Sequence, residues 1–450
     1  MEKNDIVRLA ITGYNSDGIG VGRDAGGMVV FVPGAAAGDE CDVRIVKVLS
    51  NYAFAKIETL LSPSPARADN DCPSFPACGG CAFRHISYEE ELKWKKETVA
   101  SALTRIGGVD AGDVDLIPAA ETRGYRNKAV YPIKSEGGRI AYGFYRAGSH
   151  RLVPAGDCRI QPPVIDGAAK AFCSYMESED LAPYGEESGK GDVRGLLVRA
   201  AEKTGELMLC PIFASKRNLR PKRMAEALPR LCPGVTSLFY NLNAGKNNSV
   251  LGGETIHIWG KPRLTERLCG LELGMSPESF FQVNTRQCEA LYGKVLEFAG
   301  CAGDLKKMRV MDLFCGVGSI ALFMARHCAG VAGIETIAAA VENARQNAES
   351  NGIKARFEIG DANRPFDVLP DFSPDLIIAD PPRKGLDGTL IRSVAEGPCG
   401  HFIYVSCDPA TLARDVRLFG EVGFSPVKIA AVDMFPRTAH VECVVLLNRK

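Results

Sequence analysis

The sequence lacks a net charge, a long apolar run and an apolar segment near its start. Its 54 Lys and Arg residues balance 54 Asp and Glu residues. This balance argues against a histone-like nucleic-acid binder but permits a local basic surface. The first ten residues, MEKNDIVRLA, carry charges where a signal peptide requires an apolar core, and no later stretch approaches the roughly 18 apolar residues of a membrane span. We therefore expect a cytoplasmic protein without membrane contact.

The 450 residues include 16 cysteines, and the length suggests two or three domains. In the reducing compartment expected here, clustered cysteines indicate metal ligands or catalytic thiols rather than disulfides. Most of the cysteines are scattered singly and are interpreted as small buried hydrophobes. Two features differ from these isolated cysteines: the group of cysteines near residues 72–81, and Cys407.

The first sixty residues alternate short β-type runs with Gly, Asp and Pro turns, which predicts a small barrel. A Pro-rich joint follows, and then a helical pattern from Tyr88 to Ile106 that ends at Gly107 and Gly108. The segment from about 120 to 265 mixes strand-like and polar stretches. Between Glu121 and Ile160 it has eight Lys or Arg residues against three acidic ones, with interleaved aromatics. This stretch is either a solvated face or a surface for single-stranded or looped RNA.

From Met308 onward, apolar runs alternate with helical stretches, which predicts a sheet with helices on both faces. The last two runs, PVKIAAVDMF and VECVVLLN, have no helix between them. Such terminal β–β pairing fits class I methyltransferases better than dinucleotide dehydrogenases. The glycines of CGVGS (315–319) and Glu335, about 20 residues later, fit a nucleotide cofactor. They also satisfy a permissive NAD fingerprint, so this loop alone leaves the cofactor undecided.

Two later motifs narrow the choice of cofactor. DPPRKG (380–385) and Cys407-Asp408-Pro409 each follow a predicted strand, at the carboxyl edge where doubly wound sheets place their sites. A carboxylate followed by two rigid prolines fixes the backbone beside the cofactor pocket. The thiol at the next strand end would face the same pocket.

These motifs resemble the RNA uracil-5-methyltransferase family, and within it the iron–sulfur, TRAM-containing members that methylate a uridine in 23S ribosomal RNA. The resemblance covers essentially the whole chain and rests on SFFQVN (279–284), DLFCGVGS (312–319), DPPRKG (380–385), SCDPATLARD (406–415) and MFPRTAHVE (434–442). It implies an enzyme that transfers a methyl group from S-adenosylmethionine to C5 of a uridine. The family often has Asn where this chain has Ser319, so Ser319 is not assigned to the site.

The resemblance also implies roles for individual residues. Cys407 is the nucleophile that adds to C6 of the base, and Glu442 removes the C5 proton. The residues implied in S-adenosylmethionine binding are Gln282, Phe314, Glu335, Asp361 and Asp380. The target base must leave any stack before it reacts.

The other group of cysteines comprises Cys72, Cys78 and Cys81, with Cys158 far downstream in the sequence. Close thiolates select zinc or an iron–sulfur cluster, and spacing alone leaves these two open. Radical S-adenosylmethionine chemistry is disfavoured because the usual CxxxCxxC spacing is absent. The family resemblance matches all four positions and implies a [4Fe–4S] cluster, for which we expect a structural or RNA-positioning role.

Together these observations predict an α/β protein with three parts. Residues 1–61 form an OB-type TRAM barrel, residues 62–275 a mixed α+β iron–sulfur domain with a basic RNA-binding face, and residues 276–450 a Rossmann-like class I methyltransferase domain. The helix over 88–107 is expected to pack on the catalytic domain. We expect a monomer without an obligate protein partner. The alternatives are the same reaction on transfer RNA, or an RNA-binding or ribosome-assembly protein with little catalysis. An NAD-dependent oxidoreductase fits the glycine loop but not the later motifs.

Overall fold

The alternating segments at the start of the chain form a closed barrel in the computed structural model, which describes residues 1–245 and 250–450. Apolar side chains at every second position, such as Leu9, Ile11, Val30 and Val32, fill its interior. The barrel order is β1-β2-β3-β5-β4. Its strands are β1 (Ile6–Tyr14), β2 (Gly20–Arg23), β3 (Val29–Val32), β4 (Glu40–Val48) and β5 (Tyr52–Ser62).

The described residues divide into two units, each built from segments that are distant in sequence. The first unit comprises Met1–Thr98, Phe144–Pro154 and Phe435–His440, and the second comprises Val99–Gly143, Ala155–Met434 and Val441–Lys450. The predicted three-part division stays a prediction. In the described part of the chain, no helix is both long and apolar enough to cross a membrane.

A buried ion pair organises the first unit beyond the barrel. Helix α1 (Tyr88–Arg105) carries Glu91 and Lys95 one turn apart, and their fully buried side chains meet at 2.7 Å. The Glu91 carboxylate also accepts a hydrogen bond from the Arg437 backbone N–H at 2.7 Å. The Lys95 ammonium donates to the Phe435 carbonyl at 3.2 Å. Buried charges need such partners, so this network holds the segment 435–440 in the first unit.

The second unit begins within α1, whose Val99 and Leu103 belong to its core. Its middle part contains a mainly antiparallel sheet in the order β13-β12-β11-β10-β7-β8, with the β14–β15 hairpin beside it in sequence. Helices α2 and α3 pack on this sheet. The elements from β6 to β15 are β6 (Asp115–Ile117), β7 (Lys128–Glu136), β8 (Arg139–Tyr145), β9 (Leu152–Pro154), α2 (Pro163–Ser178), β10 (Val193–Ala200), β11 (Leu207–Phe213), α3 (Pro221–Leu231), β12 (Val235–Leu242), β13 (Thr255–Gly260), β14 (Leu264–Leu268) and β15 (Leu271–Met275).

The rest of the second unit is a doubly wound sheet in the order β18-β17-β16-β19-β20-β22-β21-β6. Strands β16 to β20 are parallel, and β22 is inserted antiparallel between β20 and β21. Its elements are α4 (Thr285–Ala302), a 3₁₀ turn (Leu305–Lys307), β16 (Arg309–Leu313), α5 (Ser319–Met324), β17 (Gly330–Glu335), α6 (Ala338–Ser350), β18 (Arg356–Ile359), α7 (Pro365–Val368), β19 (Leu376–Ala379), α8 (Gly388–Glu396), β20 (His401–Ser406), α9 (Pro409–Glu421), β21 (Phe424–Val432) and β22 (Glu442–Arg449). The predicted methyltransferase-like alternation and terminal β–β pair are confirmed.

The turn between β16 and α5 requires glycine at position 318. Gly318 has φ of +79°, and an added Cβ would lie 2.8 Å from Cζ of Phe357 and 3.0 Å from Cβ of Ala344. Gly293, by contrast, is exposed within α4, and nothing lies within 4 Å of an added Cβ there.

We predict that Gly318→Ala lowers the free energy of unfolding by about 2–4 kcal/mol, because left-handed backbone strain adds to overpacking. Gly293→Ala should raise it by about 0.5–1 kcal/mol, because alanine is the better helix former. Urea unfolding followed by circular dichroism measures both variants. Equal changes in the two would contradict this account of the turn.

Candidate active site at the carboxyl edge of the parallel sheet

The loop after β16 forms one wall of a cleft. Phe314 is not a glycine, yet its φ is +62°. This strained backbone conformation is concentrated at functional sites. Just before Phe314, Asp312 is buried, and its Oδ2 accepts a hydrogen bond from the Ala321 backbone N–H at 2.9 Å. In the described part of the protein, Asp312 Oδ1 has no hydrogen-bond partner. Burial raises the pKa of this carboxyl group well above its usual range, so the site favours a donor or cation from a ligand.

The opposite wall carries an amide and a carboxyl group from separate segments. Gln282 Nε2 lies 3.4 Å from Oδ2 of Asp380, which follows β19. Burial raises the pKa of Asp380 to about 7, and the hydrogen bond from Gln282 partly offsets this effect. Buried Asn127 donates to the Gln282 carbonyl at 3.0 Å and to the Thr285 hydroxyl at 3.3 Å. Asn127 therefore fixes the backbone that presents Gln282.

The structure brings together three of the five residues predicted to bind the cofactor. Gln282, Phe314 and Asp380 line the cleft, whose complete lining is Phe280, Phe281, Gln282, Tyr292, Asp312, Phe314, Cys315, Gly316, Val317, Ser319, Ile320 and Asp380. Glu335, at the end of β17, is next to this loop because its Oε2 accepts the Gly316 N–H at 3.2 Å.

Asp361 lies apart from the cleft lining. It is exposed, and its Oδ1 accepts hydrogen bonds from the backbone and side chain of Asn363 at 3.0 and 2.9 Å. Its neighbour Gly360 donates to the Glu335 carbonyl at 3.1 Å, so Asp361 follows the strand end next to that of Glu335.

Cys407 and Glu442 lie opposite each other because of the strand register. Ser406 of β20 pairs with Cys443 of β22, so the residue after β20 faces the first residue of β22. Burial raises the pKa of the Cys407 thiol to about 11, and the Glu442 carboxylate adds to this effect. Burial also raises the pKa of Glu442 well above its usual range, with Asp380 contributing. The Arg383 guanidinium lowers both pKa values.

This arrangement brings together a thiol, a carboxyl group and a guanidinium group. The buried Glu442 has no hydrogen-bond partner for Oε2 among the described residues, which leaves this atom available to a substrate. A carboxylate with a raised pKa is a stronger base than an exposed one. The position of Arg383 beside both groups suits it to stabilise their ionised forms.

Sequence reasoning did not assign Asp312, Asn127, Tyr292 or Arg383. Asp312 and Arg383 lie inside the quoted motifs, and their charged side chains could have marked them as site residues. Tyr292 forms a 2.6 Å hydrogen bond with Ser319 in the cleft wall, but on α4 it has the pattern of a core residue. Asn127 acts through a contact with a segment more than 150 residues away.

Three of the four predicted metal-ligating cysteines, Cys72, Cys78 and Cys81, lie in the first unit, and Cys158 lies in the second. The Gly80 N–H lies 3.4 Å from Sγ of Cys78. Buried Arg84 contacts the Cys81 sulfur; although burial opposes it, this contact raises the pKa of Arg84. In the parts of the chain that the structure describes, no group of three or more His, Cys, Asp or Glu side chains is arranged to hold a metal ion. The cluster therefore stays a prediction.

Comparisons with known proteins extend over the whole chain. Residues 2–57 match the TRAM domain profile, and residues 271–450 match the profile of tRNA (Uracil-5-)-methyltransferase. A Clostridium tetani protein named "Uncharacterized RNA methyltransferase" is 36% identical over 100% of this chain and 97% of its own length. A Bacillus cereus protein with the same description is 35% identical over 100% of this chain and 98% of its own.

A solved structure is similar over nearly the full length. The Pyrococcus abyssi tRNA (uracil-54, C5)-methyltransferase, in complex with S-adenosyl-L-homocysteine, superposes with a TM-score of 0.79 at 27% identity, covering 98% of this chain and 99% of that one. The barrel, the sheet with its inserted β22 and these full-length relatives agree. The chain belongs to the TRAM-domain RNA (uracil-5-)-methyltransferase family, whose members are S-adenosylmethionine-dependent enzymes.

Proposed function

We propose that the protein methylates C5 of a specific uridine in 23S ribosomal RNA through a covalent bond between Cys407 and C6 of the base. The observation that carries this proposal is the register of β20 and β22. Ser406 pairs with Cys443, so Cys407 and Glu442 are the next residues on the two chains, beside the cleft that holds Asp380. A thiol and a base are the two groups that this reaction requires from the protein.

The cleft fits S-adenosylmethionine. The unpartnered Oδ1 of Asp312 suits the ammonium group of the methionine part. Gly316 and Gly318, both with positive φ, bring the backbone close to a ligand. Oε2 of Glu335 accepts a hydrogen bond from the Gly316 N–H at 3.2 Å and has capacity for a second one from a ribose hydroxyl. Gln282, Phe314 and Asp380 complete the proposed site, and Asp361 is proposed beside the adenine end.

The proposed reaction begins at Cys407. Its sulfur adds to C6 of the uracil, which breaks the C5–C6 π bond and places the electron pair on the C5–C4–O4 system. C5 then accepts the methyl group of S-adenosylmethionine, whose sulfur keeps the electron pair of the broken S–CH3 bond and leaves as the neutral thioether of S-adenosylhomocysteine. Glu442 removes the remaining proton from C5, the double bond re-forms, and the Cys407 sulfur leaves with the bonding electrons.

The electrostatic environment disfavours the ionised forms of Cys407 and Glu442 when no substrate is bound. With a pKa of about 11, Cys407 is a thiol at neutral pH and must lose its proton to react. Glu442 must also be ionised to act as a base. Arg383 lowers both pKa values, and we propose that it stabilises the reactive state when the substrates exclude water.

Ribosomal RNA is proposed as the substrate because the chain resembles the iron–sulfur, TRAM-containing members of the family. Transfer RNA is the second candidate. The similar Pyrococcus abyssi enzyme is named for tRNA, which favours that second candidate. RNA contact is supported by aromatic rings that are at least partly exposed. Tyr52, Phe31 and Phe54 meet on the barrel with centroids 5.5–5.7 Å apart, and Phe280 at the cleft is 67% exposed. Such rings stack on unpaired bases.

We also propose that Cys72, Cys78, Cys81 and Cys158 bind a [4Fe–4S] cluster with a structural role. Support comes from the N–H of Gly80 near the Cys78 sulfur and from the Arg84–Cys81 contact, because donors directed at sulfur favour the thiolate that such clusters require. The methyl transfer itself needs no step at the cluster.

The substrate test uses unmodified 23S ribosomal RNA and unmodified transfer RNA with methyl-labelled S-adenosylmethionine. We expect labelled 5-methyluridine, identified by mass spectrometry of nucleosides, from ribosomal RNA with the wild type and none with Cys407→Ala. Label only in transfer RNA would assign the second candidate. Label in neither RNA would favour a protein that binds RNA with little catalysis.

Glu442→Gln should trap the covalent protein–RNA adduct, because methylation proceeds but elimination lacks its base. A denaturing gel would show the slow-migrating species, which should be absent in the double variant Cys407→Ala/Glu442→Gln. If the Gln variant turns over at the wild-type rate, Glu442 is not the base.

Removal of one proposed cluster ligand should remove the metal. Anaerobically purified wild type is expected to contain about four irons and four inorganic sulfides per chain, and Cys81→Ser should contain far less. Cys301→Ser is the matched control because Cys301 is exposed and outside the proposed set. Zinc without sulfide in the wild type would reject the cluster in favour of the alternative metal.

A further inference from the structure

Three cationic side chains lie close together on β7, β10 and the residues just before β7. Lys128 pairs directly with Arg199 across the two antiparallel strands, and directly paired residues share one face of a sheet. The Arg126 guanidinium is close enough to lower the pKa of Lys128. Arg126 and Lys128 are both partly exposed, whereas Arg199 is buried.

Within the described residues, the charges of this group are only partly compensated. Burial, followed by the charges of Arg199 and Arg126, lowers the pKa of Lys128 to about 7. In residues 1–245 and 250–450, the structure shows no ion pair or side-chain hydrogen bond for Arg126 or Lys128. Arg199 donates to the carbonyls of Pro277 and Ser279, and Glu278 provides the charge that raises its pKa.

The cationic group borders the active-site cleft. The carbonyl groups that Arg199 holds immediately precede Phe280, Phe281 and Gln282 of the cleft wall. Asn127, between Arg126 and Lys128, donates to the Gln282 carbonyl at 3.0 Å. The opposite face of the same sheet packs on α2, where Tyr142 of β8 donates to Asp166 at 2.5 Å. Tyr142 pairs with Ile133, and Lys128 lies an odd number of residues from Ile133 on β7, so its side chain points to the other face. Arg199, which pairs with Lys128, shares that face and there meets the carbonyls that precede the cleft wall.

We propose that Arg126 and Lys128 bind a phosphodiester group of the RNA strand next to the nucleotide that enters the cleft. A phosphodiester is a permanent anion, and Lys and Arg side chains are its usual ligands. It would relieve the repulsion among the three cations, which no carboxylate of the described chain does for Arg126 and Lys128. This inference rests on the proposed RNA substrate and adds a site that positions the strand.

The test compares Lys128→Gln and Lys128→Arg with the control Lys170→Gln. Lys170 is exposed on α2, on the opposite face of the sheet. Lys128→Gln should weaken binding of the substrate RNA, in its unmodified form, about tenfold. It should also reduce the magnitude of the slope of log affinity against log salt concentration by about 0.7, because one fewer counterion is released. Lys128→Arg should restore both values, and Lys170→Gln should change neither.

A pH series provides a second readout. Lys128 is largely neutral above its pKa of about 7 in the free protein, so binding a phosphate there requires proton uptake. Wild-type RNA affinity should therefore fall as the pH rises from about 7 to about 9, and Lys128→Arg, which stays charged, should show a flatter profile. This comparison does not depend on the Gln variant folding.

Two outcomes would overturn the inference. One is an unchanged RNA affinity and salt slope in Lys128→Gln together with equal pH profiles for wild type and Lys128→Arg. The other is weaker S-adenosylmethionine binding with normal RNA binding, which would place the cofactor's carboxylate at this site instead. Failure of RNA methylation in the wild type would reject the proposed function, whereas the binding slopes would still decide the phosphate site.

Discussion

The hydrogen-bond ladder between β20 and β22 sets the geometry on which the candidate active site depends. Parallel strands all end at one edge of a sheet, so their carboxyl ends supply the loop after β16, Asp380 and Cys407. An antiparallel strand begins where its parallel neighbours end. The insertion of β22 therefore brings Glu442, more than thirty residues after Cys407, to the same edge. A shift of one residue in this pairing would turn Glu442 to the other face of the sheet.

The second constraint is the charge balance at that edge. Asp312 and Glu442 are buried, Asp380 is partly buried, and burial raises the pKa of each. Arg383 is the cation that lowers the pKa of both Cys407 and Glu442. Protein interiors tolerate such groups only when a partner compensates for lost hydration. The proposed cationic cofactor and the RNA would complete this balance, so full activation of the thiol is expected only in the ternary complex.

The sequence predicted the parts of the fold that follow local rules. Buried parallel strands are continuous apolar runs, as in β19 and β20, and the two terminal strands had no helical pattern between them. The three-residue β6 was not predicted, because its pairing with β21 involves backbone groups and leaves no pattern in Asp115–Ile117. Glu91 and Lys95 look like a solvent-exposed pair on a helix, yet both are fully buried. Residues such as Asn127 and Arg199 act through segments distant in sequence, so no local signal marks them.

The segment Phe435–His440 has a consequence for any attempt to shorten the protein. It is flanked in sequence by residues of the second unit, but its Arg437 backbone and Phe435 carbonyl bind Glu91 and Lys95 of the first. A fragment that begins after α1 would keep Arg437 and lose the carboxylate that its backbone N–H requires. The chain would then lack an anchor five residues before the strand that starts at Glu442. Any replacement for the N-terminal part must therefore bring its own acceptor for the Arg437 backbone N–H.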